Sequence, residues 1–541
     1  MELSHLIQSS QVENVRVCCP LMPPVTGTLC VSSHHLILSA CPVQGTKQQN
    51  CELWLLHSSV DSVEKSVHNI GILKSKDGEG RSSSGTVTLK CKDLRVIQLE
   101  IPDMEETFNI ARSVQALSSL DNLSLSYPFF FRPAGCKLGK GWPRDTMENF
   151  YLKLKAQTDA WRLSDVNENF KVCPSYPEKI IVPVACSDNS LKQAAAFRQG
   201  HRFPILSYYH PRNKVALLRS AQPLIGPNHH HSEDDEMLLD AALMGQSRGF
   251  IIDIRTEQEA KQARSAGGGT ENKDRYRKWS LLHRPLERGK ALQSSLTRLV
   301  GTCHETYLGS THWLSKLQAS QWLSHIKEAL STAGLAAECI EREGTCVLLH
   351  GEEGANNTLL ATSLAQLILS PDCRTMAGFQ DLIEREWLQA GHPFQLRCAR
   401  FGWVQGYIQQ ESPYFLLFLD CCWQLTRQFP MAMEFNEKLL STLATHAYSS
   451  EYGTFLCNSE KERHVYKLRE KTHSLWGILN NFRQRKHFIN PVYERNPLVI
   501  WPSVAPQSIQ LWEGFFFRYF MSTKHKEMSW QRTWELVGED P

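Results

Sequence analysis

The segment that most constrains the fold is CVLLHGEEGANNT, residues 346–358, where an apolar run leads into a loop with two glycines and then into another apolar stretch. Apolar residues recur at helical spacing both before it, in residues 322–341, and after it. We therefore predict a strand at 346–350 between two helices. A glycine loop between a strand and a helix N-terminus aims backbone N–H groups at an anion. An ordinary strand-to-helix turn has the same pattern, and the residues alone leave both interpretations open.

Hydrolysis of a phosphate ester on such a loop needs two further groups. One is an activated nucleophile at the start of the loop, and the other is a guanidinium at its end that grips two phosphate oxygens. Loops of the cysteine type supply them as His-Cys, five residues, then Arg. Counting from His350, Gly351 stands at the nucleophile position and Asn357 at the guanidinium position. Neither residue can do that chemistry, and the carboxylates of Glu352 and Glu353 repel a phosphate dianion.

Composition indicates a large globular protein with no special partner chemistry. The chain has 541 residues, of which 42% are hydrophobic, and its 59 basic and 56 acidic residues leave a net charge of +3. No overall field draws it to nucleic acid, so we expect no nucleic-acid partner and only local membrane contacts. Its 17 cysteines include the neighbours Cys18-Cys19 and Cys421-Cys422 but no C-x-x-C pair. We expect a reducing compartment, no disulfide framework, no metal site and no cofactor.

Neither end of the chain carries a targeting or pairing signal. The N-terminus MELSHLIQSS lacks the features of a signal peptide, and the apolar stretch YFLLFLDCCWQL (414–425) is too short to span a bilayer. We predict that this stretch forms a buried helix. The tail, residues 521–541, has no sustained heptad, so no coiled coil is expected there.

Residues 1–120 have the pattern of a small β-rich domain. Short alternating runs separated by polar turns predict several antiparallel strands, with a flexible insert at 75–85. Asp103, followed by Glu106 three residues later, predicts the start of a helix. The residues expected on one face of this helix are Met104, Phe108, Ala111 and Val114.

Beyond this region, longer helical patterns alternate with short apolar strands such as GFIIDI (249–254). Such alternation predicts an α/β domain with a largely parallel sheet. We therefore divide the chain into residues 1–120, 121–520 and a short tail, 521–541.

Other candidate sites are weaker. The sequence GQSRG (245–249) matches the nucleophile pattern around Ser247, but a helix precedes it and a strand follows, which is the reverse of the required order. His229 to His231 lie in a polar stretch that predicts a solvated loop, closed by a capping box of Ser232 and Asp235. The segment GGGTE (267–271), Asp253, Arg198 and Arg202 are candidates for surrounding a pocket, although alone they indicate a turn, a strand end and surface residues.

Several long segments, read together, resemble the myotubularins, lipid phosphatases that remove the 3-phosphate from phosphoinositides. The resemblance implies an α+β multidomain protein, with an N-terminal PH-GRAM-like β-barrel and a large α/β cysteine-phosphatase-like domain. The segments that carry it occur in family order and are WRLSDVNENFKVCPSYP (161–177), FRQGHRFPILSYYH (197–210), RSAQPL (219–224), IIDIR (251–255), WLSHIKEAL (322–330), EREWLQAGHPF (384–394) and SPYFLLFLDCCWQLTRQFP (412–430).

Active members of the family carry His-Cys-Ser-Asp-Gly-Trp-Asp-Arg-Thr at the phosphate loop, and this chain matches that pattern at its scaffold positions only. His350, Gly354 and Thr358 agree with it. The remaining positions differ, with Gly351 for the cysteine, Glu352 and Glu353 for the serine and first aspartate, Ala355 for the tryptophan, Asn356 for the second aspartate and Asn357 for the arginine. The resemblance therefore implies a pseudophosphatase with no catalytic residues.

Pseudophosphatases of this family act as adapters. The resemblance implies heteromers with the active myotubularin-related proteins 6, 7 and 8, and a peripheral, cytoplasmic location at phosphoinositide-containing endosomal, endoplasmic reticulum or ruffle membranes. Two alternatives stay open: a phosphoinositide-binding module that needs no partner, and a residual enzyme with another nucleophile.

Overall fold

The computed structural model describes most of the chain as two groups of elements with separate hydrophobic cores. The described residues are 3–20, 23–40, 52–69, 83–133, 137–139, 141–143, 146–305, 310–403 and 410–519. Among them, no helix is both long and apolar enough to span a bilayer. The tail at 521–541 lies outside this part of the chain.

The N-terminal group is a seven-stranded antiparallel sheet with one helix. Helix α1 (Met104–Ser118) contacts both β2 and β5, which stand four positions apart in the strand order and would be about 19 Å apart in a flat sheet. The sheet therefore bends around α1 in a barrel-like form, with β4 and β5 at its two ends. Its strands are β1 (Gln11–Cys18), β2 (Val25–Val31), β3 (His35–Ala40), β4 (Glu52–Leu56), β5 (Val60–Asn69), β6 (Ser83–Cys91) and β7 (Val96–Ile101), in the order β4-β3-β2-β1-β7-β6-β5.

Helix α1 begins where the sequence predicts. The Asp103 side chain accepts a hydrogen bond from the backbone N–H of Glu106 at 2.9 Å. The predicted buried face is partly wrong, because Met104 is exposed and Phe108 lies at the margin. Ala111 and Val114 are buried as predicted, together with Thr107, Ile110, Ser113 and Leu117. The predicted insert at 75–85 lies outside the described residues except for its last three, which belong to β6.

The second group is built on a five-stranded sheet that is parallel except for its edge strand β10, which confirms the predicted α/β architecture. Its central strand, β14, is buried along its whole length. A separate antiparallel pair comprises β8 (Trp161–Ser164) and β9 (Ile180–Pro183). The five strands are β10 (Ile205–His210), β11 (Val215–Ala221), β12 (Gly249–Asp253), β13 (Trp279–His283) and β14 (Cys346–Gly351), in the order β10-β11-β14-β12-β13.

Helices cover this sheet, and α9 is buried on all sides between the sheet and its neighbours α8 and α12. The predicted helix at 322–341 and the predicted buried helix that begins at residue 414 are both confirmed. The helices after α1 are α2 (Thr146–Lys155), α3 (Asp188–Ala196), α4 (Glu233–Ala242), α5 (Glu257–Ser265), α6 (Gly289–His304), α7 (Ser310–Ser320), α8 (Trp322–Glu341), α9 (Asn357–Leu369), α10 (Met376–Ile383), α11 (Phe394–Arg397), α12 (Tyr414–Gln428), α13 (Glu437–Tyr448), α14 (Glu460–Val465), α15 (Leu468–Lys471), α16 (Leu475–Leu479), α17 (Phe482–Arg485) and α18 (Glu513–Phe516).

Candidate functional site

The loop at 352–356 leaves the central strand β14 and enters the buried helix α9. Gly354 has φ +61°, and a Cβ atom there would lie 2.4 Å from the backbone nitrogen of Ala221. Only glycine fits this position, because a side chain would collide with rigid backbone as well as strain the left-handed conformation. The loop is therefore pressed against the end of β11, with the strand–loop–helix geometry that the sequence predicts.

The backbone of this loop has the form of an anion cradle. In the part of the chain that the structure describes, none of the N–H groups from Glu352 to Asn356 has a hydrogen-bond acceptor. These groups precede the N-terminus of α9, where the helix dipole also favours negative charge. The backbone alone is therefore compatible with binding an anion.

The side chains at 351 and 357 leave the cradle without reactive groups. Gly351 presents no side chain, and a Cβ atom there would lie 3.1 Å from the Thr358 hydroxyl oxygen. The amide of Asn357 donates hydrogen bonds to the carbonyls of Leu286 and Glu287, at 3.1 and 3.0 Å. Asn357 therefore ties α9 to the connection between β13 and α6.

The two glutamates of the loop engage the cations at its rim. Glu352 forms an ion pair with Arg288. Glu353 accepts a hydrogen bond from the Asn356 amide at 2.9 Å and lies 3.5 Å from a guanidinium nitrogen of Arg397. An incoming phosphate would have to displace these carboxylates before it could use either arginine.

A cavity of about 210 Å³ opens above the loop. Arg288, already paired with Glu352, also pairs with Glu259, while the nearby guanidinium of Arg255 is held by Asp253 at 2.7 Å. The cations around the cavity are therefore balanced by carboxylates. The lining residues include Ile254, Arg255, Glu259, Leu286, Arg288, Gly351, Glu352, Glu353, Ala355, Asn356, Asn357, Thr358, Arg397 and Tyr414.

Beneath the loop, the structure joins residues that the sequence treats as separate weak candidates. His350 is fully buried, with one ring nitrogen 3.7 Å from Asp253 and 3.6 Å from Glu271. Burial lowers the pKa of His350, and the two carboxylates oppose this shift. Glu271 in turn pairs with Arg198 at 2.6 Å, and Arg198 also forks onto Asp235.

The expectation that Arg198 and Arg202 lie on the surface is wrong, since both are almost completely buried. Arg202 donates a hydrogen bond to the carbonyl of Gly354 at 2.8 Å, and its guanidinium stacks on the ring of Tyr176 at 4.3 Å. It supports the loop from outside the cradle. Because long polar side chains usually stay in water, only this tertiary pairing makes their burial favourable.

The other sequence candidates lie elsewhere. Ser247 is exposed in the turn before β12. His229 to His231 are also exposed, and no cluster with the composition of a metal site occurs among the described residues. Ser232 caps α4 by accepting a hydrogen bond from the backbone N–H of Asp235 at 3.3 Å.

Sequence reasoning missed three charged residues at the rim: Glu259, Arg288 and Arg397. They come from α5, from the residue before α6 and from the end of α11. No local motif marks them, since each reaches the cavity only through the packing of distant segments.

A strand, glycine loop and buried helix at the centre of a parallel sheet, with a separate bent antiparallel domain, define a two-domain protein of the phosphatase type. Residues 126–464 match the family described as the myotubularin-like phosphatase domain, and residues 11–118 match the GRAM domain of MTMR6-9. The chain therefore belongs to the myotubularin family, and the N-terminal domain is of the PH-GRAM type. The resemblance and fold class predicted from the sequence are confirmed.

Individual relatives agree with this assignment. The chain is 50% identical over 543 residues to Myotubularin-related protein 9-like from Bos taurus, covering 100% of this chain and 97% of that protein. It is 48% identical over 538 residues to Myotubularin-related protein 9 from Homo sapiens, covering 99% and 94%. It is 33% identical over 494 residues to Phosphatidylinositol-3-phosphate phosphatase MTMR7 from Homo sapiens, covering 90% and 72%.

Proposed function

We propose that this chain is a catalytically inactive phosphoinositide 3-phosphatase homologue that regulates active members of its family. The proposal rests on the residues that occupy positions 351 and 357. Gly351 offers no nucleophile, and the amide of Asn357 is committed to the backbone of Leu286 and Glu287. Without a nucleophile and a guanidinium, the loop cannot form or stabilise a phosphoryl intermediate.

The loop glutamates also oppose substrate binding. Glu352 and Glu353 neutralise Arg288 and Arg397, the cations best placed to attract a headgroup phosphate. The negative charges of these two carboxylates would also repel a phosphate dianion bound in the loop. What the chain retains is the scaffold, and a retained scaffold suits recognition by a partner of related structure.

In this proposal the chain is an adapter that forms heteromers with the active myotubularin-related proteins 6, 7 and 8. It raises their activity or lipid affinity toward phosphatidylinositol 3-phosphate and phosphatidylinositol 3,5-bisphosphate. The partner class is suggested by the 33% identity to a relative that is itself named as a phosphatidylinositol-3-phosphate phosphatase. The proposed site of action is the cytoplasmic surface of endosomal, endoplasmic reticulum or ruffle membranes.

Co-expression of the full chain with one active relative tests the adapter role. We expect the two proteins to co-purify as a complex of defined mass and the relative to release phosphate faster than it does alone. A chain that neither binds the relative nor changes its turnover would rule the adapter role out.

The PH-GRAM domain also favours a second candidate function, partner-independent binding of phosphoinositides. Its signature would be binding of the purified chain to vesicles that contain phosphatidylinositol 3-phosphate, and not to vesicles with phosphatidylinositol alone. If this binding occurs while no active relative is bound or stimulated, the second function replaces the first.

A further inference from the structure

The segment from residue 480 to 487 presents an exposed aromatic side chain among basic residues. Phe482 is 93% exposed, the highest exposure among the large hydrophobic residues that the structure describes. Arg483, Arg485 and Lys486 follow it and are exposed as well. Covering this ring would remove apolar area from water, which is favourable.

This segment is held firmly at both ends. Before Phe482, the side-chain amides of Asn480 and Gln380 bond each other in both directions, at 2.9 and 3.1 Å. After it, the buried Phe488 accepts a hydrogen bond through its carbonyl from the backbone N–H of Asn436 at 2.9 Å. The ring of Phe482 is therefore presented by an anchored loop, and the loop includes the single turn of α17.

Basic charge is concentrated here. Between residues 480 and 498 the chain carries Arg483, Arg485, Lys486 and Arg495 against one carboxylate, Glu494. The net charge of this short segment equals the +3 of the whole chain. Two of these cations face carboxylates of neighbouring segments, since Arg485 lies 3.5 Å from Glu434 and Arg495 lies 2.7 Å from Asp372. Among the described residues no carboxylate lies within ion-pair distance of Arg483 or Lys486, so the positive potential is centred on these two side chains beside Phe482.

Further exposed apolar side chains occur later in the 480–498 segment and in the stretch of chain bonded to it. The backbone N–H of Glu494 bonds the carbonyl of Met431 at 2.9 Å, so the two segments run together. Met431 and Val492 in these segments are 45% and 55% exposed. An exposed aromatic residue with apolar neighbours and several cations has the chemistry of an interfacial membrane contact, in which the ring enters the headgroup region and the cations face anionic lipids.

We propose that the surface formed by residues 480–498 and Met431 binds an anionic lipid bilayer. The exposed ring of Phe482 and the cations Arg483 and Lys486 match the apolar and anionic groups at the surface of such a bilayer. This inference goes beyond the proposed adapter role, because it concerns how the chain itself meets a membrane and requires no partner.

The 480–498 surface lies near the C-terminal end of α9, whereas the candidate loop lies at its N-terminal end. Arg485 pairs with Glu434, whose backbone N–H bonds the carbonyl of Arg374 at 2.9 Å. The Arg374 guanidinium donates to the carbonyls of Leu367 and Ile368 at the C-terminal end of α9. The candidate loop lies at the opposite end of this 13-residue helix, about 20 Å away. A bilayer on the 480–498 surface therefore faces away from the loop, as suits a chain that does no chemistry on lipid.

The test is co-sedimentation of the full chain, without a partner, with vesicles of equal parts phosphatidylserine and phosphatidylcholine, or of phosphatidylcholine alone. We expect binding only to the anionic vesicles. Phe482→Ser and Arg483→Glu should each weaken it about fivefold or more, whereas Phe482→Leu should retain it. Val184→Ser and Lys192→Glu, exposed changes on another surface, serve as matched controls and should bind like the wild type.

Equal binding of the wild type to both vesicle types, or unaltered binding by Phe482→Ser, would overturn the proposal. So would normal vesicle binding by Phe482→Ser combined with lost pairing to an active relative in vesicle-free solution, because the surface would then be a protein interface. A failure of the adapter role appears separately, as absent pairing by the wild-type chain.

Discussion

At the scale of single residues, Gly351 and Asn357 are fitted closely to the side chains and backbone around them. A Cβ atom at 351 would approach both the Thr358 hydroxyl, at 3.1 Å, and the Ile254 side chain, at 3.3 Å. An arginine at 357 would lose both amide hydrogen bonds to the backbone before α6. Restoring two residues therefore does not restore the environment in which they would work.

We accordingly expect Gly351→Cys combined with Asn357→Arg to release no more phosphate from phosphatidylinositol 3-phosphate than the wild type does. Glu352 and Glu353 still occupy the rim cations and repel the substrate. Phosphate release assays on both proteins check this, with Asn357→Arg alone as the matched control. Turnover by the double variant well above that control would show that the pocket is intact apart from two side chains.

Substitution of Gly354 tests whether close contact with the β11 backbone constrains the loop. Gly354 and Gly200 have nearly the same left-handed backbone, with φ of +61° and +60°, but a Cβ atom would meet the β11 backbone only at Gly354. We expect Gly200→Ala to lower the free energy of unfolding by about 1 kcal/mol, the cost of the conformation alone, and Gly354→Ala by more than about 3 kcal/mol. Urea unfolding of both variants gives the comparison, and equal losses would mean that the loop moves aside freely.

At the scale of elements, helices α8 and α12 are joined by a buried carboxyl group. The Trp322 ring N–H donates to Asp420 at 2.8 Å, and the Gln424 amide donates to its other oxygen at 3.0 Å. Burial raises the pKa of Asp420 to about 7 in spite of these donors. The group is thus held where ionisation is unfavourable.

The sign of the pH effect follows from this raised pKa. An unfolded aspartate titrates at about 3.9, so between about pH 4 and pH 7 the folded chain keeps a proton that the unfolded chain has lost. The contribution of Asp420 to stability is therefore present below pH 4 and falls as the pH rises to about 7. Asparagine does not titrate. We therefore expect the stability of Asp420→Asn relative to the wild type, followed by thermal unfolding, to increase by roughly 2–4 kcal/mol between pH 5 and pH 8. Exposed Asp121→Asn is the control, and a difference between Asp420→Asn and the wild type that stays constant with pH would contradict the assignment.

Local sequence signals predicted the elements better than their contacts. The helix at 322–341 and the cap at Asp103 depend on neighbours a few residues away, and the structure has both. The exposure of Met104 depends on how the sheet bends around α1, which spacing along one helix does not determine. Likewise, the burial of Arg198 depends on Glu271, 73 residues away. Short-range pattern cannot reveal such pairs, because only the complete fold brings them together.

At the scale of the whole molecule, the PH-GRAM domain is fixed to the phosphatase-type domain by buried polar contacts. Asp61, at the start of β5, is 1% exposed and accepts hydrogen bonds from the backbone N–H groups of Phe401 and Trp403, at 3.0 and 3.3 Å. The Trp403 ring N–H donates to the carbonyl of Cys91 at 2.8 Å. Because Arg397 precedes this segment and reaches Glu353, the domain junction and the rim of the candidate loop share one stretch of chain.

Removing the carboxylate of Asp61 should loosen this junction specifically. In Asp61→Ala the buried N–H groups of Phe401 and Trp403 lose their acceptors, and leaving such donors unpaired costs about 1–3 kcal/mol each. A loss of this size corresponds to about a tenfold or greater increase in local opening. We therefore expect hydrogen exchange at these two amides to accelerate by about tenfold or more, while the core of the five-stranded sheet stays protected. Asp103→Ala is the matched control, because it removes an aspartate from the same domain but uncaps only α1. If both variants change exchange at Phe401 and Trp403 alike, the Asp61 carboxylate does not hold the junction, and its other hydrogen bonds and packing are sufficient. A selective effect of Asp61→Ala would show that this buried carboxylate helps to fix the position of the PH-GRAM domain against the phosphatase-type domain.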